Sequence, residues 1–256
     1  MSPRERIVSA IRSASSQGEP ALIAYLTAGF PLRARLRAQL QALAHAADVI
    51  EVGVPFTDPM ADGVTIQRAS RAALAQGVSL PWILEELAAL HGLRAPLLLM
   101  SYLNPLLAFG VDRLAEHAAR AGVAGFIVPD LPLDESSELR AALDERQLAL
   151  VQMVTPVTEA QRLAQLCAGS QGFVYAVTMT GTTGRNVAVP AAVLDYLDRV
   201  RAASPLPVCA GFGIRSRDQV ERLRGHVDGV VVGSALVEVL ERDEDPGAFL
   251  RGLRTD

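Results

Sequence analysis

The sequence contains no lysine, so arginine supplies all 24 of its basic side chains. Among side chains, the lysine amine is the group that condenses with a carbonyl substrate to form an imine. If this chain cleaves a carbon–carbon bond, it therefore cannot do so through an imine on one of its own side chains.

Cysteine and histidine are scarce as well. Cys167 and Cys209 share neither a metal-ligand spacing nor a disulfide framework, so we expect two buried, reduced thiols in a cytoplasmic protein. Four histidines fall in predicted helices or connections without a cysteine or an acid at ligand spacing, and no metal site is predicted from them. They are His45, His91, His117 and His226.

Excess positive charge and long apolar segments are also missing. The formal charge of −4 and the pI near 5.6 give no reason to expect nucleic acid or an anionic membrane as a partner. The uncharged stretches 95–111 and 163–184 contain too many polar residues, Pro and Gly for a membrane span. Near the N-terminus, Ile7, Val8 and Ile11 share a helical face among arginines, which indicates an amphipathic surface helix rather than a signal peptide. We therefore expect a soluble protein.

Half of the residues are hydrophobic, and many of them form short runs rich in Val, Ile and Leu. Segments with helical periodicity separate these runs, which predicts a parallel sheet covered by helices. Eight such repeats in 256 residues favour a closed (β/α)8 TIM barrel with an additional N-terminal helix, forming one domain over residues 1–256. A doubly wound open sheet is the alternative, but eight strands suit a closed barrel better. The runs are 21–29, 49–55, 95–102, 125–130, 148–154, 172–179, 206–213 and 228–233, and the periodic segments include 32–46, 81–91, 111–121, 135–145 and 191–202.

The second run carries a carboxylate in its middle. Alternation along the strand places Glu51 on the side of Val49 and Gly53, away from the branched residues that suit the helix-facing side. Glu51 should therefore point into the barrel, where burial raises the pKa of a carboxyl group. Asp62 lies in the loop that leaves the same strand, at the end of the barrel where active sites occur.

Both acids also have structural explanations. Glu51 could form a buried ion pair or hydrogen bond that only stabilises the barrel, and Asp62-Gly63 is a common turn sequence. Their occurrence on one strand and its following loop favours proton transfer by carboxylates near neutral pH.

Glycine-rich segments follow the last three predicted strands. They are Gly181 to Gly184, Gly211 to Gly213, and Gly233-Ser234, the last of which opens a predicted helix. Backbone N–H groups at such positions attract anions, and (β/α)8 enzymes often bind phosphate after strands seven and eight. The same glycines could simply form tight turns. Three tyrosines within or at the ends of strands are either core residues or the wall of a pocket for a flat ring, namely Tyr25, Tyr102 and Tyr175.

The stretch IEVGVPFTDPMADGVTIQ, residues 50–67, resembles the signature segment of the tryptophan synthase alpha chain family. Further blocks of that family have counterparts in the same order, so the resemblance covers essentially the whole chain. They are YLTAG (25–29), SYLNP (101–105), PDLP (129–132), TGTTG (180–184), GFGI (211–214) and VGSA (232–235).

This resemblance implies a lyase that cleaves indole-3-glycerol phosphate to indole and glyceraldehyde 3-phosphate in tryptophan biosynthesis, by a retro-aldol reaction without an imine. Glu51 matches the catalytic glutamate that protonates indole C3 and helps to deprotonate the glycerol C3′ hydroxyl. Asp62 matches the aspartate that accepts the indole N1 hydrogen, and we expect it to stay ionised on a wetter loop. Both acids occupy these positions in the sequence.

The resemblance also implies binding residues. The phosphate positions correspond to Gly184, Gly213, Gly233 and Ser234, and the indole pocket to Tyr25, Met100, Ile127, Tyr175 and Phe212. Thr183 corresponds to a residue of the loop, about 181–190, that closes the site and contacts Asp62. No cofactor or metal is implied for this chain.

A partner is implied too, the tryptophan synthase beta chain in an α2β2 heterotetramer. The beta chain carries pyridoxal phosphate and receives indole through an enclosed passage. The loop 55–62 and the region of Asn104 and Asp130 match the face that docks on it.

Two residues depart from the family pattern. Val64 replaces the proline that usually follows Ala-Asp-Gly, and Met179 stands where many relatives have arginine, a change that Arg185 could offset. Neither change removes a group that the chemistry needs. The alternatives are a stand-alone lyase that releases free indole, and a catalytically inactive activating subunit, which the intact Glu51 and Asp62 argue against.

Overall fold

The computed structural model describes residues 1–178, 189–211 and 213–254. Eight parallel strands within these ranges form a closed barrel in sequence order, and the last strand pairs with the first. The predicted (β/α)8 barrel is therefore confirmed, and the open sheet is excluded. The strands are β1 (Ala21–Thr27), β2 (Val49–Gly53), β3 (Leu97–Met100), β4 (Val123–Ile127), β5 (Ala149–Val154), β6 (Val174–Val177), β7 (Val208–Gly211) and β8 (Gly229–Val232).

Helices follow the strands and cover the outside of the barrel. Besides α1 and α11, which the sequence analysis predicted, five helices in the described ranges lie outside the segments given above as periodic, namely α3, α5, α8, α10 and α12. The helices are α1 (Pro3–Ser15), α2 (Leu36–Ala44), α3 (Val64–Ala75), α4 (Leu80–Ala88), α5 (Leu103–Phe109), α6 (Val111–Arg120), α7 (Ser137–Glu145), α8 (Ala160–Gly169), α9 (Ala191–Ala203), α10 (Arg217–Leu223), α11 (Ser234–Glu241) and α12 (Pro246–Leu253). Within the described chain, no helix combines the length and the apolar character needed to cross a membrane.

Buried side chains form two hydrophobic clusters. The larger one contains Ile50, Val52 and Val54 and lies between the strands and the helices. The smaller one contains Val49 together with other inward-facing strand residues and fills the barrel. The predicted alternation of β2 is confirmed, because Val49 and the helix-facing trio fall in different clusters.

Helix α1 closes the N-terminal end of the barrel. Ser2 and Glu5 form a reciprocal capping box at its start, and Pro3 occupies the first helical position, where its missing N–H costs nothing. Ile7 and Ile11 are fully buried in the cluster that fills the barrel. The predicted amphipathic helix is present, and its apolar face packs against the ends of the strands.

The start of α3 shows what the departure at Val64 means for stability. Val64 is the first helical residue and is 80% exposed, and Gly63 before it has the extended backbone that proline requires of its predecessor. The N–H group of a first helical residue has no partner within the helix. Proline at this position would therefore lose no helical hydrogen bond.

We expect Val64→Pro to stabilise the folded protein by about 0.4–1 kcal/mol, because proline restricts the unfolded chain at a position already suited to it. For a chain of this size the melting temperature should rise by about 1–4 °C. Differential scanning calorimetry measures the change, with Val64→Ala as the control for loss of the exposed side chain. A lower melting temperature for the proline variant would contradict the assignment of Val64 as the first helical residue.

Candidate active site

Glu51 is the central residue of β2 and points into the barrel. Its side chain is 1% exposed, and neither carboxyl oxygen has a hydrogen-bond partner among the described residues. Burial, with a smaller contribution from the negative charge of Asp62, raises the pKa of Glu51 to about 8. The structural alternative, a buried ion pair or hydrogen bond that stabilises the barrel, has no support in the described residues.

Asp62 lies in the loop between β2 and α3, and it is half-buried. Burial raises the pKa of the Asp62 carboxyl group, while its hydrogen bond with the Tyr102 hydroxyl lowers it and offsets part of that effect. The Asp62 side chain is thus less exposed to solvent than that of a typical surface-loop residue. It remains more exposed than Glu51, so the two carboxyl groups have different environments at the same end of the barrel.

Two hydrogen bonds hold the backbone around Asp62. The Gln67 side-chain amide donates to the Asp62 carbonyl oxygen at 2.8 Å, and the Ala61 N–H donates to the Tyr102 hydroxyl at 2.8 Å. The ring of Tyr102 stacks on Phe56 with a centroid distance of 5.2 Å. The Asp62 carbonyl group is therefore held by α3, and the Ala61 N–H group is held by Tyr102 just after β3.

Gln67 and Tyr102 are functional candidates that the sequence analysis did not assign to the site. Gln67 is the last residue of the quoted segment, so its place in that motif was a usable signal. Tyr102 was considered only as a core or pocket residue. Its contact with residues 61 and 62 joins segments about forty positions apart, and no local pattern in the sequence indicates such a contact.

Two tyrosines inside the barrel pack over glycines of the next strand. A Cβ atom on Gly53 would lie 2.3 Å from the Tyr25 hydroxyl, and one on Gly211 would lie 2.5 Å from the Tyr175 hydroxyl. Burial, with contributions from the charges of Glu51 and Asp62, raises the pKa of both tyrosines. Both rings therefore lie near the two acids and stay neutral.

Met100 and Ile127, which were also predicted to line the indole pocket, lie inside the barrel with the two tyrosines. Met100 ends β3 and packs half-buried against the inner cluster, and Ile127 ends β4 and is fully buried. Phe173 was not predicted, but it is fully buried in this cluster with its ring centroid 6.2 Å from that of Tyr175. The described pocket wall is thus aromatic and aliphatic.

The glycines after β7 and β8 lie side by side. Gly211 and Val231 are paired across these strands, and Gly213 and Gly233 each follow two residues later. Gly213 has a φ of +64° and open space around its Cα atom, and Gly233 precedes Ser234, the first residue of α11. An ion pair between Arg215 and Glu238, with N···O distances of 2.7 and 2.9 Å, joins the two segments. The start of α11 offers N–H groups suited to an anion.

Several predictions lie outside the described residues. They concern the phosphate position Gly184, the closing-loop residue Thr183, the pocket residue Phe212, and the departures at Met179 and Arg185.

Histidine and cysteine take no visible part in this site. His226 contacts the Asp198 carboxyl group at 2.8 Å, and His117 meets the Phe109 ring edge-on. Cys167 and Cys209 are free and buried, as expected. Among the described residues, no three His, Cys, Asp or Glu side chains are grouped so that they could hold a metal ion.

Known proteins with this sequence pattern share one description. A family model described as "Tryptophan synthase alpha chain" matches residues 11–250. A tryptophan synthase alpha chain of Nitratidesulfovibrio vulgaris is 47% identical over 248 residues, covering 96% of each chain. One of Bacillus cereus is 41% identical over 239 residues, covering 93% of each chain.

Solved structures agree with the sequence matches. A chain from an open form of tryptophan synthase from M. tuberculosis superposes with a TM-score of 0.87 at 37% identity, covering 97% of this chain and 96% of that one. A tryptophan synthase alpha chain from Legionella pneumophila superposes with a TM-score of 0.86 at 30% identity, covering 97% of this chain and 95% of that one. Because the family model covers most of the chain and the relatives match it nearly end to end, the chain belongs to the tryptophan synthase alpha chain family.

Proposed function

We propose that this chain catalyses the reaction of its family, the retro-aldol cleavage of indole-3-glycerol phosphate to indole and glyceraldehyde 3-phosphate. It acts as a carbon–carbon lyase in tryptophan biosynthesis. The observation that supports this most directly is the buried carboxyl group of Glu51, which has no hydrogen-bond partner in the described part of the chain and lies near Asp62. Buried polar groups without partners are rare, and those that occur often have a chemical role.

The pKa of Glu51 suits both proton transfers. At a value of about 8 the carboxyl group holds its proton near neutral pH and can donate it to indole C3. The resulting carboxylate can then accept the proton of the glycerol C3′ hydroxyl as the bond between indole C3 and C3′ breaks. The electrons of that bond return to the ring, indole leaves, and the C3′ oxygen becomes the aldehyde oxygen of glyceraldehyde 3-phosphate.

Asp62 serves the ring nitrogen in this proposal. Protonation at C3 makes the indole system electron-poor, and a carboxylate that accepts the N1 hydrogen stabilises the developing positive charge. The hydrogen bonds of Gln67 and Tyr102 hold the loop so that Asp62 is already in place. A group oriented before the reaction stabilises charge at little reorganisation cost.

The remaining site residues bind the substrate. Gly213, Gly233 and Ser234 hold the phosphate through backbone N–H groups, together with Gly184. Tyr25, Met100, Ile127 and Tyr175 enclose the indole ring, together with Phe212, and Thr183 closes the site over Asp62. The alternation of aromatic and aliphatic side chains near the two acids supports the ring position.

We expect Gln67→Ala to lower kcat by about tenfold while KM changes little. The Asp62 carbonyl would lose its 2.8 Å hydrogen bond, and the carboxylate would spend less time in its productive position, whereas the phosphate is held at the other side of the site. Steady-state kinetics of indole release measures kcat and KM separately. Gln165→Ala, on the outer helix α8, is the matched control. Equal losses in kcat and in phosphate affinity would indicate a general folding defect instead.

We further propose that the chain works with the tryptophan synthase beta chain in an α2β2 heterotetramer, and that pyridoxal phosphate belongs to that partner. The loop 55–62 and the region of Asn104 and Asp130 form the docking face. Exposed apolar side chains support this, since Met60 is 84% and Leu107 is 50% exposed near that face. We also propose that residues 1–256 form one domain and that the protein acts in the cytoplasm.

The first experiment measures indole release from indole-3-glycerol phosphate by the purified chain, with and without a beta chain from the same source. Slow cleavage that rises by orders of magnitude with the partner would support an alpha subunit regulated through its loops. Fast cleavage without a response would support a stand-alone lyase, which the family match does not favour. Absence of cleavage under both conditions would rule out the proposed enzymatic role of Glu51 and Asp62.

A further inference from the structure

A cavity of about 500 Å³ lies at the N-terminal end of the barrel, opposite the two acids. Its walls come from α1, the end of α2, the segment before β3, and α12. Asp48, just before β2, and Pro96, just before β3, border it, so it belongs to the end of the barrel that α1 closes. The proposed reaction makes no use of this region.

The lining of the cavity is strongly basic. Four arginines line it, and Asp48 is its one acid among the described residues. Asp48 is already engaged, because its carboxyl group lies 2.9 Å from the guanidinium of Arg254 and accepts the N–H of Leu22 at 2.7 Å. The other three arginines are Arg6, Arg94 and Arg251.

These three cations have little compensation within the protein. Arg251 faces Asp245 at 3.5 Å across exposed surface. The side chains of Arg6 and Arg94 make no ion pair or hydrogen bond in the part of the chain that the structure describes, although they lie on separate segments that meet at this cavity. Like charges brought together without counter-charges attract an anion from solution.

We propose that this cavity is a second anion site, which takes a small molecule carrying two or more phosphate groups. Guanidinium groups bind phosphate oxygens in pairs and stay charged at any physiological pH. The Ser9 and Ser13 side chains of α1 also line the cavity and can donate hydroxyl hydrogen bonds. Its volume exceeds that needed for a bare ion and lies within the range of small-molecule sites.

The test is isothermal titration of the full chain with inorganic pyrophosphate at low ionic strength. Glycerol 3-phosphate is present in excess, so that the proposed substrate phosphate position is occupied. We expect one pyrophosphate per chain, and binding that weakens by about tenfold or more in Arg6→Gln/Arg94→Gln because two charged hydrogen-bond donors are lost. Indole release should be unchanged in this variant.

The matched control is Arg71→Gln/Arg199→Gln. Both residues are exposed on other helices and also lack an ion pair among the described residues, so the double variant has the same change in net charge. Its pyrophosphate affinity should stay within about twofold of the unmodified chain, since surface substitutions away from a site have small effects. Equal weakening in both double variants, or no saturable binding, would overturn the proposal. The outcome does not depend on whether the chain cleaves indole-3-glycerol phosphate, since the readout is binding at the opposite end.

Discussion

Glu51→Gln should reduce kcat for indole release by about 10²–10⁴-fold, the range expected when a general acid and base is removed. Glutamine keeps the size of the side chain and loses the acidic proton, and no other acid among the described residues is fully buried inside the barrel. The fold should persist, because the carboxyl group has no hydrogen-bond partner to lose among the described residues. Activity within about threefold of the unmodified chain would revive the view of a catalytically inactive activating subunit.

The same substitution should change how stability depends on pH. The pKa of Glu51 is about 8 in the folded protein against 4.5 ordinarily, so the folded state holds more protons than the unfolded chain between these values. The free energy of unfolding contributed by this group is fully present below the lower value and is lost as the pH rises through the upper one. Glu51→Gln should therefore lose less stability than the unmodified chain between about pH 5 and pH 9.

Urea unfolding at several pH values measures this difference. The rate should show the corresponding signature, since donation to indole C3 needs the protonated acid and kcat should fall above a pH of about 8. Parallel stability profiles for the two proteins would mean that the pKa of Glu51 is not raised in the folded state.

Asp62→Asn should lower kcat by about 10²–10³-fold with little change in KM. The amide keeps the shape and still presents an oxygen to N1, but it carries no charge to stabilise the electron-poor ring, and such preorganised charge typically accounts for losses of this size. In the proposed arrangement the substrate phosphate binds near the start of α11, away from this loop, so its affinity should be retained.

Asp58→Asn is the matched control on the same loop. Asp58 is exposed, and its carboxyl group accepts a hydrogen bond from the neighbouring Thr57 hydroxyl at 2.5 Å. Assayed without a beta chain, this variant should keep its rate within about twofold, as expected for a surface position. If the two variants lost activity equally, the loop as a whole, rather than the Asp62 carboxylate, would carry the effect.

The part of the fold that follows from local pattern was predictable. Seven of the eight apolar runs contain a whole strand, and the run 125–130 covers the last three residues of β4, because a strand buried on both faces needs continuous Val, Ile and Leu. The period of two along β2 placed Glu51 inside the barrel, and the prolines and glycine before Val64 kept Asp62 in a loop. These conclusions depend only on residues a few positions apart.

Contacts between distant segments were not predictable in the same way. Tyr102 bonds to Ala61, and Gly53 leaves room for the Tyr25 ring on the neighbouring strand. Asp62 is more exposed than Glu51, as expected, but the partial burial that raises the pKa of Asp62 was not predicted. The short helix α5 contains Pro105 in its first turn, where proline is tolerated but periodicity gives little signal.

Because α1 closes one end of the barrel, the substrate enters and the products leave at the opposite end. Ile7 and Ile11 fill the N-terminal end, so substrate, indole and triose phosphate must all share the opposite mouth. Two products of very different polarity then leave by one exit. A partner docked over that mouth would receive the apolar product directly, while the phosphorylated one needs a route to water past the start of α11. Within the described residues, the order in which the two products leave would therefore depend on the C-terminal end of the barrel as well as on the chemistry.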